Sequence, residues 1–507
     1  MSILNDSGLN NINTVLNLET YYSKNVIENL LTKNSSFPCI KTLLNNQKII
    51  TQLKELNKSD SEKIDEILEN IIDCEKNLEF FYEEKNSLEN LEEDTFGQLI
   101  FQHSELKVFN TFPFLLLLIS YMKIYFVPII SVVLPIIMYF LPYLIIKYVW
   151  NMPMTYDMYQ QIMGKMWSFS LDNNSLEKIL QNAFAIFTFA QSMYQPIQNA
   201  LHLNTINNTI YNLGKYLYDY NIHINNLNTI LENNNIKFKF FDALKTFCNS
   251  TDYRMNFAYV LENTVYLSFV SKNVALFEVL YNISNNSNFN KVDIYSSDSP
   301  FLKIVNSYDI NLSKEKRVGS DFYIGPDSTH FLLSGPNGGG KSSFLRGLLQ
   351  TILFSQSFGY AIGDSIHYSP FDYIFSGLHL QDIPGQKSLF EKEVCFARDI
   401  LYYNNPAYKG LVLFDEIFHS TNPPDGIRTA NEFLNKLYTY NHVASIISTH
   451  VFEIIEQSPS FVKKICVNAH RENNILYYDY KISNGICKES SVTEIWKKNY
   501  EDISAEQ

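Results

Sequence analysis

This 507-residue sequence is short of positive charge: 40 Lys and Arg stand against 53 Asp and Glu, the formal net charge is −13, and only 18% of residues are charged. Coating a phosphate backbone requires clustered cations that displace counterions, so the composition argues against a protein whose main task is non-specific nucleic-acid binding. Paired cysteine spacings are missing as well. The six cysteines, Cys39, Cys74, Cys248, Cys395, Cys466 and Cys487, are scattered without a Cys-x-x-Cys or His/Cys cluster, which excludes a zinc motif and leaves reduced, cytosolic thiols as the expectation. No basic-then-apolar stretch opens the chain, so no cleaved signal is expected. No internal repeat of fixed period emerges. The length is sufficient for two or three domains with sizeable cores.

The acidity that remains is local. Residues 51–94 hold 15 Asp and Glu against 5 Lys, whereas 301–507 carry 23 acidic and 19 basic residues. Ile64, Ile67, Leu68, Ile71, Leu78, Phe81, Leu88 and Leu91 recur at helical spacing through the acidic stretch, which makes the charge run the solvated face of an amphipathic helix. Residues 151–235 continue with helical periodicity interrupted by Asn-rich turns, and 253–281 reads as one long buried helix. SNNSNFN at 284–290 reads as a linker.

One segment departs from the rest. Between Val108 and Val149 only Lys123 and Lys147 are charged, and 124–146 is uncharged throughout. As a helix those positions would extend roughly 35 Å, against a hydrocarbon core of about 30 Å. Pro128, Pro135 and Pro142 would kink a membrane helix without excluding it. The stretch 108–122 is apolar enough for a second, shorter pass, with Lys123 and Pro128 near the turn or snorkelling to an interface, so a two-pass or re-entrant hairpin is expected. A helical hairpin buried in a soluble core is the alternative.

Chemistry begins further on. His330-Phe331-Leu332-Leu333-Ser334 is a buried-strand run leading into Gly335-Pro336-Asn337-Gly338-Gly339-Gly340-Lys341-Ser342-Ser343, and Gly335, Gly340, Lys341 and Ser342 fit G-x-x-x-x-G-K-[ST]. Glycines let successive backbone N–H groups turn toward phosphates, Lys341 adds a point charge, and the Ser342 hydroxyl suits magnesium. The run 410–414 is a second apolar strand, ending in Asp415-Glu416. Asp415 is expected to hold the metal and Glu416 to polarise the attacking water. A third strand, VASIIST, ends at Thr449-His450, where His450 could sense a γ-phosphate.

GPNGGGKSSFLR, LVLFDEIFHSTNPPDG and ISTHVFEI together resemble the ATPase domain of the MutS family of DNA mismatch-repair proteins, a branch of the ABC-type P-loop superfamily. The segment PFDYIFSGLHLQDIPGQKSLFEKEV is similar to the family's signature region, with Ser388, Phe390 and Glu393 at its Ser-x-Phe-x-x-Glu positions. The resemblance implies ATP and Mg2+ as cofactors and a homodimer sandwiching ATP, with Ser388 reaching the γ-phosphate bound by the partner subunit. It also puts Tyr480 where a ring stacks on adenine. Departures are visible: Leu389 stands where Thr is usual, Gly377 where Arg is expected, and the loop after the second strand reads Phe418-His419-Ser420-Thr421-Asn422-Pro423-Pro424-Asp425-Gly426 instead of a Gly-Arg-Gly-Thr run. A mismatch-reading domain is absent from the resemblance. Phe80-Phe81-Tyr82-Glu83 mimics the family's Phe-x-Glu wedge only in its letters and reads as a core stripe.

The expected architecture is therefore α + α/β. An all-helical half comprises a core and lever segment at 1–107, the apolar hairpin at 108–149 and a lever segment at 150–297; an ABC-type P-loop α/β ATPase domain follows at 298–507. Two functions fit: a dimeric, DNA-associated ATPase on double-stranded or branched DNA, or a membrane-tethered mechanical switch moving a bilayer or protein partner. A transporter fits less well, because Leu-Ser-Gly-Gly-Gln is absent and PGQKS at 384–388 only echoes it. The expected location is a membrane anchor with the ATPase domain facing the cytosol, or else soluble in cytoplasm or nucleus.

Overall fold

The computed structural model describes residues 3–82, 96–166, 176–238, 248–380, 388–403, 405–473 and 475–492, together with 494 and 496. Two compact units emerge: Met1–Ile64 with Ile230–Phe238 and Ser271–Gln507, and Asp65–Thr229 with Lys239–Val270.

The first unit contains two sheets. Its strands are β1 (Phe289–Ile294), β2 (Leu302–Ser307), β3 (Ser320–Ile324), β4 (His330–Ser334), β5 (Tyr360–Ile362), β6 (Ser365–Tyr368), β7 (Tyr373–Gly377), β8 (Gly410–Phe414), β9 (Val443–Ser448), β10 (Lys463–Glu472) and β11 (Ile475–Asn484). One sheet has the order β3-β2-β6-β1-β5, and the other β11-β10-β4-β9-β8-β7. In the second sheet every neighbouring pair is parallel except β10 with β11. Its central strands β4, β8 and β9 are buried at every position, which is why they read as mainly apolar runs. Leu333 pairs with Ser448, and Phe414 with Ile447, so the three strands end at one level and deliver their following residues to one edge.

The helix Lys341–Phe358 follows β4 and is buried along most of its length. N-terminal residues cover it with amide side chains that satisfy its end. The Asn46 side chain donates to Ser357 O at 3.0 Å, Gln47 to Gly359 O at 2.9 Å, and Gln350 of the helix donates to Ser7 O at 2.8 Å. Residues remote in sequence thus complete the core around the helix that opens the glycine loop. Glu278, also buried, accepts from the backbone N–H of Glu19 at 2.8 Å and from the Thr20 hydroxyl at 2.6 Å.

Several expectations change here. The chain does not make one helix over 253–281: it breaks at Asn263 between Tyr253–Glu262 and Thr264–Asn285. The Asn263 side chain donates to Tyr259 O, a local bond that competes with helix continuation. Residues 284–290 are not a linker, because the helix runs to Asn285 and β1 starts at Phe289. Asn286 closes the turn by accepting from the N–H of Asn288.

The second unit is helical. Leu176–Asn233 forms one helix of 58 residues, uninterrupted by its asparagines. Leu203, Ile206, Ile210, Leu217, Tyr220, Ile224, Leu227 and Leu231 are all buried, and this continuous stripe outweighs the low helix propensity of asparagine. Within the acidic helix Lys58–Asn77, Ile64, Leu68 and Ile71 are buried, while Glu75 is buried and accepts from the Tyr220 hydroxyl at 2.9 Å. Phe81 packs on Phe257, as a core stripe should; Glu83, Leu88 and Leu91 lie outside the described residues.

The apolar segment is not a hairpin. Pro113–Val149 is one helix of 37 residues, and among the described residues it is the one helix long and apolar enough to cross a membrane. Wide π turns at Met122–Phe126 and Ile145–Val149 interrupt its regular winding, and the intervening Val127–Leu144 carries Pro135 and Pro142 within it. Lys123 marks no turn, since its ammonium extends to Gln98 O at 2.7 Å. None of the most apolar window is buried, unlike the core helix of a soluble protein.

Candidate functional site

The glycine loop joins the end of β4 to its helix through backbone shapes that side chains rarely adopt. Gly335, Gly338 and Gly340 have φ of 145°, 76° and 102°. A Cβ on Gly335 would meet Val467 O at 3.1 Å, whereas one on Gly338 would meet nothing within 4 Å, so Gly338 borders open space. The Ser491 hydroxyl donates to Asn337 O at 2.8 Å and steadies the loop from outside. Gly339 N–H closes a turn onto Pro336 O at 3.1 Å.

Lys341 is buried, and its ammonium donates to Gly335 O at 3.0 Å and Pro336 O at 3.1 Å. Burial pushes this ammonium below its ordinary range, while Glu416 and Asp415 nearby act in the opposite direction. The Ser342 hydroxyl donates to Asp415 Oδ2 at 2.5 Å. Ser343 lines the same cavity as Lys341 and Ser342.

Ser448, at the end of β9, ties the acidic pair together. Its hydroxyl donates to Asp415 Oδ1 and accepts from Glu416 N–H at 2.8 Å. Sequence reasoning passed over Ser448; the available signal was a hydroxyl at the end of a buried strand, immediately before Thr449-His450. Glu416 itself sits in the left-handed region at φ 52°, and its Oε1 meets His450 Nε2 at 2.8 Å. That hydrogen bond is the largest influence holding the Glu416 carboxyl below its ordinary range, against the opposing effect of burial and with smaller help from the charges of His419 and Lys341.

This gives a signed pH prediction. With His450 present, Glu416 keeps its proton-accepting form to lower pH than an ordinary glutamate. His450→Asn removes the first cause, so the Glu416 carboxyl should titrate at higher pH, read by NMR of the labelled carboxyl carbon. A titration that stays in place would show that His450 does not set the Glu416 carboxyl.

The replaced loop after β8 has its own organisation. Glu393, on the helix Leu389–Tyr402, is almost fully buried, and burial pushes its carboxyl up. It receives the Ser420 hydroxyl and lies 3.1 Å from His419 Nδ1, and the same nitrogen is 2.7 Å from Glu416 O. His419 and Ser420 therefore join the signature helix to the end of β8, a linkage that sequence reasoning missed. Gly377 is also explained, because a Cβ there would meet the Phe396 ring at 2.7 Å.

A cavity of about 670 Å³ opens over the loop. Asn337, Gly338, Gly340, Lys341, Ser342 and Glu416 line one side, and Tyr480 reaches it from β11, with φ 54°. The Tyr480 ring approaches a Cβ placed on Gly340 to 3.2 Å and stacks on Tyr478. Tyr308, Leu312 and Lys316 also line it. This stretch is held to the loop's helix by Asp309, which receives Arg346 Nε at 2.7 Å and Gln350 Nε2 at 2.8 Å.

Ser388 lies elsewhere. It caps the helix Leu389–Tyr402 by accepting from Glu391 N–H at 3.2 Å and does not line this cavity. Residues 381–387 of the signature region fall outside the described residues. No group of three or more His, Cys, Asp or Glu suited to a metal exists among the described residues. Magnesium does not require one, since it retains waters and shares phosphate oxygens; Ser342 and Asp415 set a hydroxyl and a carboxylate side by side next to the glycine loop.

Comparison with known proteins shows what the C-terminal region is similar to. Residues 331–499 match the family model described as MutS domain V. The DNA mismatch repair protein MutS of Lactobacillus gasseri is 30% identical over 232 residues, 44% of this chain and 27% of that protein. The proteins of the same name from Geobacillus sp. (strain WCH70) and Staphylococcus carnosus are 28% and 26% identical, over 35% and 41% of this chain and 21% and 23% of theirs. The chain thus spans about a quarter of the length of these curated relatives. Its C-terminal region is thus similar to MutS domain V and to the matching part of proteins named for DNA mismatch repair.

Proposed function

We propose that this protein binds and hydrolyses ATP and that two copies close on a pair of sandwiched nucleotides. The observation carrying this reading is the linked set Ser342–Asp415–Ser448–Glu416–His450 beside the glycine loop, in one cavity with Lys341 and Tyr480.

ATP with Mg2+ supplies a transferable phosphoryl group and the cation that neutralises its charge. The Gly338 and Gly340 amides and the Lys341 ammonium bind phosphate oxygens, while the Gly339 N–H is held in the loop's own turn by Pro336 O, and Ser342 with Asp415 holds the metal. Tyr480 offers its ring to the base. Glu416 accepts a proton from water at its carboxylate, and His450 orients that carboxylate through the 2.8 Å contact. Ser388, at an exposed helix N-terminus, is available to a nucleotide held by the partner subunit.

By analogy with the relatives named DNA mismatch repair proteins, duplex or branched DNA is the substrate class to try first. A second reading is favoured by the exposed apolar helix Pro113–Val149: the chain is anchored in a membrane, with its ATPase domain in the cytosol where ATP is supplied, and the nucleotide cycle moves a membrane or protein partner. The purified full chain in detergent should turn over ATP with Mg2+ and double its mass on ATP. A monomer at saturating ATP would refute the sandwich. A DNA titration with and without ATP at several salt concentrations separates the readings, since absence of salt-dependent affinity removes DNA and leaves the membrane switch.

A further inference from the structure

The turn that leaves β8 is held in a conformation that its own residues do not favour. Glu416 and Phe418 both lie in the left-handed region, at φ 52° and 47°, and neither is a glycine. Such geometry persists only where neighbouring groups over-determine it. Ser448 supplies part of the restraint, since its hydroxyl accepts from Glu416 N–H at 2.8 Å and its carbonyl from Ile417 N–H at 3.2 Å. The signature helix Leu389–Tyr402 supplies more.

Side-chain contacts join that helix to the turn. The buried Phe418 ring lies edge-on to Phe390, with centroids 6.1 Å apart. The Glu393 carboxylate accepts the Ser420 hydroxyl on one oxygen, and its other oxygen lies 3.1 Å from His419 Nδ1. The same Nδ1 is 2.7 Å from Glu416 O. A carbonyl oxygen can only accept, so Nδ1 carries the proton and shares its N–H between the Glu416 carbonyl and the Glu393 carboxylate.

These two side chains are poorly explained by packing. Glu393 is 1% exposed, and burying a carboxylate is costly where an apolar side chain would fill the same space at no such cost. What an apolar residue could not do is receive Ser420 and His419. The His419 side chain is about half exposed, so the core does not fix its ring; its Nδ1 contacts do. Neither Glu393 nor His419 lines the nucleotide cavity, whereas Glu416 does, so both bear on that cavity through Glu416.

We propose that His419 and Glu393 are positioning residues for ATP hydrolysis: the pair grips the Glu416 carbonyl and holds the Glu416 side chain at the cavity only while the signature helix is seated against the turn. This rests on the reading of Glu416 as the base. The helix that Ser388 caps thereby also sets the base that attacks through water.

The test measures kcat, KM and melting temperature on the full chain in detergent, with Glu416→Gln as the reference for loss of the base. His419→Ala should lower kcat about 10-fold or more, because small displacements of a reacting group are costly, and leave KM within about twofold. His419→Asn sets an amide N–H where Nδ1 stands and should recover most of the lost kcat. Glu393→Gln should lower kcat as well, and combined with His419→Ala it should lose no more than the larger single effect, as for groups that act as a unit. Parental kcat in His419→Ala, beside a Glu416→Gln protein that has lost turnover, would overturn the positioning role and leave the base in place. A loss that His419→Asn does not recover and that tracks a lowered melting temperature would assign the pair to the fold alone. A parent chain without ATP turnover, or Glu416→Gln with parental turnover, would remove the base and its positioning together.

Discussion

Glu416→Gln is expected to lower ATP turnover by about 10²- to 10³-fold while leaving nucleotide affinity near that of the parent chain. The amide is nearly isosteric, retains an oxygen for the His450 contact and still allows the backbone N–H to donate to Ser448, so the cavity keeps its shape. It cannot accept a proton from water. Binding and chemistry should thus separate, and the ATP-bound dimer should accumulate as a stable species of doubled mass on sizing. Single-turnover hydrolysis together with light scattering measures both. Hydrolysis at the parental rate would exclude Glu416 as the base, and loss of affinity without loss of turnover would assign it to ground-state binding.

Lys341→Met should act at the preceding step. A charge-assisted contact to phosphate is worth roughly 3 kcal/mol, or about 100-fold in Kd, and the variant removes it without adding bulk. Lys341 is buried and its ammonium is held by two loop carbonyls, so the substitution also leaves Gly335 O and Pro336 O without their donor. Lys341→Arg tests whether charge alone suffices. A planar guanidinium is a poor substitute for a compact ammonium in this pocket, and weakened binding is expected for it as well. Fluorescent-nucleotide titration reads affinity, and a thermal melt without nucleotide shows whether the loop has lost its fold. Unchanged affinity in a folded Lys341→Met protein would remove the loop from phosphate binding.

Much of this site could be read directly from the chain because its signals are contiguous. A buried strand, a glycine loop and Lys-Ser announce themselves within a dozen residues, and Asp415-Glu416 ends a run of five apolar positions. His450 followed from strand order. Ser448 did not, because a serine in a buried strand becomes meaningful only when the register of β4, β8 and β9 brings it beside Asp415. Glu393 and His419 are 26 positions apart, and their meeting depends on how the signature helix packs against β8.

The helical half was less legible. Periodicity located its buried faces well, since Ile64, Leu68 and Phe81 are core residues, but it misjudged where helices stop. Asparagine clusters in the long helix looked like turns, yet the buried stripe along its length overrides them, while a single Asn263 does end a helix. Prolines and a lysine suggested a turn in the apolar segment, and helix continuity with two wide turns prevailed.

By itself, then, the sequence determined the glycine loop, the acidic pair, the separation of an acidic helix from a nearly neutral C-terminal half, and the presence of a long uncharged segment. These are properties of composition and of residues close along the chain. The tertiary structure decided which distant groups meet: Ser448 with Asp415, His419 with Glu393, Asn46 with the end of the loop's helix, and Ser120 with Asn207. Such contacts depend on strand register and helix direction, which arise from burying apolar faces across the whole chain and therefore have no local signature.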